Sequence, residues 1–120
     1  MRLNEQFRER SKKYASATIR LYVTLPSGRK EVQVLGHQLL RSGTSVAAHV
    51  REASRARSDA EFCSKMDSAL QEADESGLWL ELLRDDCGIN NEALAHLLAE
   101  TNELMSIVVT MVERTKRQNK

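Results

Sequence analysis

Three histidines and seventeen carboxylates are the side chains of this 120-residue sequence with the means to hold a metal ion. In helical bundles a dinuclear iron or manganese centre takes Glu from two helices and Glu-x-x-His from two others. No Glu-x-x-His occurs here. His49-Val50-Arg51-Glu52 runs in the reverse order, Glu92 precedes His96 by one step too many, and His37 has no such partner. The sequence therefore predicts no metal and no cofactor. Nothing resembles a nucleophile elbow, a phosphate-binding loop or a zinc-deaminase signature, so no catalytic constellation is visible and the chain reads as non-enzymatic. Cys63 and Cys87, 24 positions apart on one predicted helix, lie about 36 Å from each other at 1.5 Å per residue. They cannot pair within a subunit and read as reduced packing residues, as suits a cytoplasmic protein.

The arginines are the more informative chemistry. Arg41, Arg51, Arg55 and Arg57 cluster with Lys65 as the one nearby lysine, and guanidinium groups suit bidentate phosphate contacts better than ammonium groups do. Net charge is only +1, but its distribution is uneven: residues 1–30 carry +6, residues 31–65 carry +1, residues 66–105 carry −9 and the last fifteen carry +3. Three readings stay open: complementary neighbouring helices, a basic surface for nucleic-acid phosphates, or head-to-tail attraction between subunits. With five aromatic side chains, mostly at seam positions, a base-stacking platform is not expected. Any RNA contact then rests on phosphates and shape, with marked salt dependence.

The elements that position these groups follow from composition and period. One Pro, five Gly and many Ala, Leu, Glu and Arg favour helix throughout. The strong breakers are Pro26-Ser27-Gly28, Ser54 to Ser58, and Asp86-Cys87-Gly88. They leave four helices, at about Asn4 to Leu25, Arg29 to Ser54, Asp59 to Cys87 and Asn91 to Arg117, each with apolar residues at alternating steps of three and four. Ser58-Asp59-Ala60-Glu61 reads as a capping box, Gly88 as a left-handed helix stop and Asn90 as the next cap. Short connections force antiparallel neighbours. Residues 1–120 are thus expected to form one all-α domain, an antiparallel up-down-up-down four-helix bundle about 40 Å long. No run of 18 apolar residues could span a bilayer, and no signal-peptide stretch opens the chain, so no membrane association is expected.

The third helix carries a second heptad stripe, Phe62, Ala69, Ser76 and Leu83, with Trp79 and Leu82 beside it; the fourth adds Leu98, Met105 and Val112. Two seams on one helix read either as a wide core-facing stripe or as a face for neighbouring subunits. Phe62, Trp79, Leu82, Leu83, Leu98 and Met105 are the candidates for that face.

The stretch Gln38-Leu39-Leu40-Arg41-Ser42-Gly43-Thr44-Ser45, continuing through Glu52-Ala53, is followed by Ala69-Leu70-Gln71-Glu72-Ala73-Asp74-Glu75-Ser76. Ser42, Ser45 and Glu52 fall near one side of the second helix, and Glu72 and Glu75 on one stripe of the third. If the stripes face each other, hydroxyls and Arg41 can satisfy partly buried carboxylates and set helix register. The paired pattern resembles the four-helix bundle proteins encoded in 23S rRNA intervening sequences, over nearly the whole chain. His49 departs from it, since family members usually carry Asn there. The resemblance implies the bundle fold and assembly into homopentameric rings, which favours the subunit-face reading. Distantly similar accessory proteins of diversity-generating retroelements form such rings and bind nucleic acid and a reverse transcriptase. The resemblance implies no assigned activity for the rRNA-associated members themselves.

The expectation is a non-enzymatic homo-oligomer that contacts structured RNA through Arg51, Arg55, Arg57, Lys12 and Lys13. The alternative is a scaffold for a partner protein, such as a nucleic-acid enzyme, motivated by the apolar second seam and the acidic 66–105 region.

Overall fold

The computed structural model describes residues 5–118. Four helices follow in order: α1 (Glu5–Thr24), α2 (Lys30–Ser54), α3 (Asp59–Asp85) and α4 (Glu92–Gln118). Each packs on its sequence neighbours, α4 closes back on α1, and the backbones of diagonal pairs stay apart, which is the up-down-up-down bundle. Asn4, the expected first residue of the first helix, lies outside the described residues. The bundle measures 52 × 20 × 20 Å, longer than the expected 40 Å. A 27-residue helix alone spans about 40 Å, and the turns and the stagger of the helices add the remainder. No described helix is long and apolar enough to cross a membrane.

The ends are set by local chemistry. The first helix stops two residues before Pro26, whose ring cannot continue it. Ser58 Oγ accepts from the Glu61 N–H at 3.0 Å, while the Glu61 carboxylate reaches back to the Arg57 N–H at 3.4 Å, one residue short of the cap itself. Gly88 takes φ +70°, and the reversal lets the Ile89 N–H reach the Leu83 carbonyl at 2.9 Å. The cap of α4 is Asn91 rather than Asn90: its Oδ1 accepts from the Leu94 N–H at 2.8 Å. Arg29 Nη1 donates to the Cys87 carbonyl at 2.8 Å, tying the α1–α2 turn to the α3–α4 turn.

The core runs the full length, from Phe7 and Phe62 at one end to Leu25, Cys87 and Ile89 at the other. Near the middle it is interrupted by a polar layer with one residue from each helix. Tyr14 of α1 and Thr101 of α4 share a hydrogen bond of 2.6 Å; Ser42 of α2 and Ser76 of α3 share one of 2.7 Å. Thr101 and Ser76 also donate back to the carbonyls of Leu97 and Glu72, so the layer is satisfied as buried polar groups must be. Burial pushes the Tyr14 phenol above the ordinary tyrosine range, against the bonds from Thr101 and Ser76.

The α1 seams are unequal. On α2, Gly36 and Gly43 form a notch: a Cβ at Gly43 would sit 2.7 Å from Thr18 Cγ2, and one at Gly36 would sit 2.8 Å from Leu25 Cδ1. The helix leans into this notch. Its opposite seam, with α4, is the sparsest in the bundle.

Candidate nucleic-acid interface

The second stripe of α3 is core, not surface. Phe62 and Leu83 are 1% and 0% exposed, which corrects their assignment to a subunit face. The reason is position: α3 lies between α2 and α4 and buries one seam against each, so both of its heptad stripes are used inside one chain. Trp79, Leu98 and Met105 are half-buried against that core, and Leu82 is half-buried as well. The Trp79 Nε1 is buried without a hydrogen-bond partner among the described residues.

The polar motif of α2 and α3 does come together along their shared seam. Arg41 reaches Glu72 at 3.4 Å and Glu75 at 3.0 Å. His49 Nδ1 lies 2.8 Å from Glu52 and its Nε2 lies 4.0 Å from Glu72, so the imidazole bridges the two carboxylates. Lys65 Nζ adds a 3.7 Å contact to Glu52. The His49 hydrogen bond, with smaller help from Lys65, holds the Glu52 carboxyl below the usual carboxylate range. Ser42 does not serve these carboxylates; it is buried and bonded to Ser76. Ser45 Oγ donates to the Arg41 carbonyl at 2.7 Å. These groups satisfy one another and fix α2 against α3, which leaves little free for a ligand.

The basic candidates separate into three places. Lys12, Arg51 and Arg55 line one surface groove of about 540 Å³ with Arg8, Ser11 and Ser45, floored by Ala47 and Ala48 and edged by His49 and Glu52. Arg8 is paired with Glu5 at 2.6 Å. Lys12, Arg51 and Arg55 are exposed and form no ion pair among the described residues. Helix periodicity explains the grouping: Arg55, the C-cap residue of α2, follows Arg51 by one turn, and Arg8 and Lys12 are one turn apart on α1. Lys13, by contrast, lies on the flank of α1 that faces α4 and lines a different groove. Arg57 is exposed in the turn and lines neither groove. Arg8 was not among the sequence candidates; its turn spacing from Lys12 was the signal that pointed to it.

Cationic side chains without carboxylate partners, flanked by hydroxyls, can hold phosphate oxygens by charge-assisted hydrogen bonds. Among the described residues no three His, Cys, Asp or Glu side chains converge as metal ligands do.

The model of the 23S rRNA-intervening sequence protein family matches residues 4–110. The chain belongs to that family. It is similar to the crystal structure of a protein with unknown function from the S23 ribosomal protein family of Bacteroides thetaiotaomicron VPI-5482, with 33% identity and a TM-score of 0.80. That similarity covers 88% of this chain and 97% of the other. No curated protein matches the chain. Family membership thus rests on residues 4–110, including α2 and α3 with their paired polar motif, and brings no assigned activity to the groove.

Proposed function

We propose that this member of the 23S rRNA-intervening sequence protein family is a binding protein without catalysis of its own, which holds structured RNA by its phosphates in the α1–α2 groove. The observation that carries the reading is the convergence of Lys12, Arg51 and Arg55, all exposed and without carboxylate partners among the described residues, in one groove. Several other arginines are neutralised within the chain: Arg10 with Glu100, Arg41 with Glu72 and Glu75, Arg84 with Asp85. Unpaired cations that converge on one groove favour a polyanion there. The reading includes assembly of several copies, five being favoured by the family resemblance, with Trp79, Leu82, Leu98 and Met105 as the half-buried apolar residues available to contacts between copies.

The test is binding of nuclease-treated protein to a structured rRNA fragment across a salt series, with the light-scattering mass measured on the same sample. For duplex-like sites the slope of log K against log salt is about −0.9 per phosphate contact. Arg51→Glu/Arg55→Glu is expected to cost at least about tenfold in affinity at low salt and to flatten the slope by about two contacts. Lys30→Glu, at the opposite end of the bundle, serves as the charge control. Unchanged affinity in the arginine double variant would remove the groove from the RNA site.

A further inference from the structure

The other flank of α1 carries a second groove, of about 820 Å³, along the seam with α4. Its floor is apolar, with Ala17 and Leu21 from α1 and Ala93 and Leu97 from α4. Its α1 lip carries Lys13 and Arg20, exposed and without an ion pair among the described residues. The α4 lip carries Glu100 and Glu103. Glu100 is engaged: Arg10 donates to both of its oxygens at 2.7 Å. Glu103 is exposed and makes no ion pair among the described residues. The two lips are therefore of opposite sign, yet Lys13 and Arg20 do not close onto the acidic lip.

We infer that this groove docks an amphipathic helix of a partner protein, with its apolar stripe on the alanine floor and acidic residues along the edge that faces α1. Two dimensions support a helix. The lining runs from Lys13 to Thr24 on α1, about 16 Å at 1.5 Å per residue, which is three helical turns. Lys13 and Arg20 are seven residues apart, so carboxylates at i and i+7 of one helical edge meet both. Alanines at the floor let a third helix approach two packed ones closely, as the glycine notch of α2 does for α1. The edge that faces α4 carries a cation for Glu103.

The α3 face of a second copy fits less well. It presents exposed Leu78 with Asp74, Glu75 and Glu81 around it. That face suits Lys13 and Arg20 but sets acid against Glu103, where a like-charge contact disfavours docking. The reading is independent of the RNA groove, which lies on the opposite flank of α1.

The probe is a fluorescein-labelled 14-residue helical peptide with a Leu/Ala stripe, Glu at i and i+7 on one edge and Lys on the other. Its counterpart carries Lys on both edges. Fluorescence anisotropy with the full-length protein is expected to show about a tenfold preference for the mixed-edge peptide. Lys13→Glu/Arg20→Glu is expected to reverse that preference, and Ala93→Trp, at an exposed floor position, to abolish binding of both peptides. Circular dichroism melting confirms the fold of each variant, and two exposed charge changes on α1 keep the test open if the tryptophan disturbs the bundle. No binding of the mixed-edge peptide, or equal binding of both, overturns the inference. A light-scattering mass that falls in Ala93→Trp makes the occupant a second copy and overturns it too.

Discussion

The glycine notch on α2 makes a prediction in which two opposing effects have readable sizes. Replacing Gly by Ala inside a helix gains about 1 kcal/mol of propensity when space allows. At Gly77 space allows it: the nearest atom to a new Cβ is Thr101 Cγ2 at 3.7 Å, an ordinary contact. At Gly43 it does not, because Thr18 Cγ2 and Oγ1 both lie at 2.7 Å and Thr18 Cβ at 3.1 Å. Thr18 has nowhere to turn. It is fully buried, and its hydroxyl is bonded to the Tyr14 carbonyl at 2.9 Å. Overpacking of this kind costs about 1–3 kcal/mol, so Gly43→Ala is expected to lose up to about 2 kcal/mol net, whereas Gly77→Ala gains up to about 1. Urea unfolding followed at 222 nm measures both. A second arm removes the obstacle: Thr18→Ala combined with Gly43→Ala should recover at least about 1 kcal/mol relative to the sum of the single changes. The reasoning is refuted if the two glycine variants shift stability in the same direction, or if the double variant shows no coupling.

Two further predictions concern the polar layer. The folded-state pKa of Tyr14 is raised by burial, so the neutral phenol is the form that the fold stabilises. That contribution is complete below the free-tyrosine value, near pH 10, and is lost as pH rises through the folded value; ultraviolet titration should show a late tyrosine step that Tyr14→Phe removes. Ser42→Ala or Ser76→Ala alone should each cost about 1–2 kcal/mol in urea melts, and the pair together less than their sum, since removing both hydroxyls leaves neither one unpaired.

Much of the fold is written locally. Ser58, Gly88 and Pro26 act on the backbone within a few residues of themselves, and their effects are readable from the chain alone. Asn90 and Asn91 are adjacent and chemically identical, so only the path of the backbone decides which one caps α4. The seams of α3 show a different limit. Period reveals that Phe62 and Leu83 are apolar and in register, but not whether the surface they cover belongs to the same chain, because that depends on which helices flank α3. Tyr14 and Thr101 stand at core positions of their helices, and a tyrosine facing a threonine in an antiparallel pair was the available sign of the polar layer. The grooves were the least legible feature. Each depends on the distance between two helices, set by the side chains on both, and the lean of α1 into Gly36 and Gly43 opens the seam with α4 without leaving a mark on α4 itself. Lys12 and Lys13, neighbours in sequence, end on opposite flanks because one residue step turns a helix by about 100°.

The bond from Arg29 to the Cys87 carbonyl makes the two poles of the bundle unlike. At that pole both interhelical turns are laced together, so α1 cannot move away from α4 there without carrying α2 and α3 with it. At the other pole Glu5 and Gln118 end separate helices, and nothing comparable joins them among the described residues. Spreading of the structure therefore has a fulcrum, and amide exchange should quicken along α1 and α4 with distance from it. The basic groove lies toward the unlaced pole, with Arg8 and Lys12 near the start of α1 and Arg51 and Arg55 near the end of α2. A polyanion laid across them bridges α1 and α2, so occupancy and rigidity of that pole rise together.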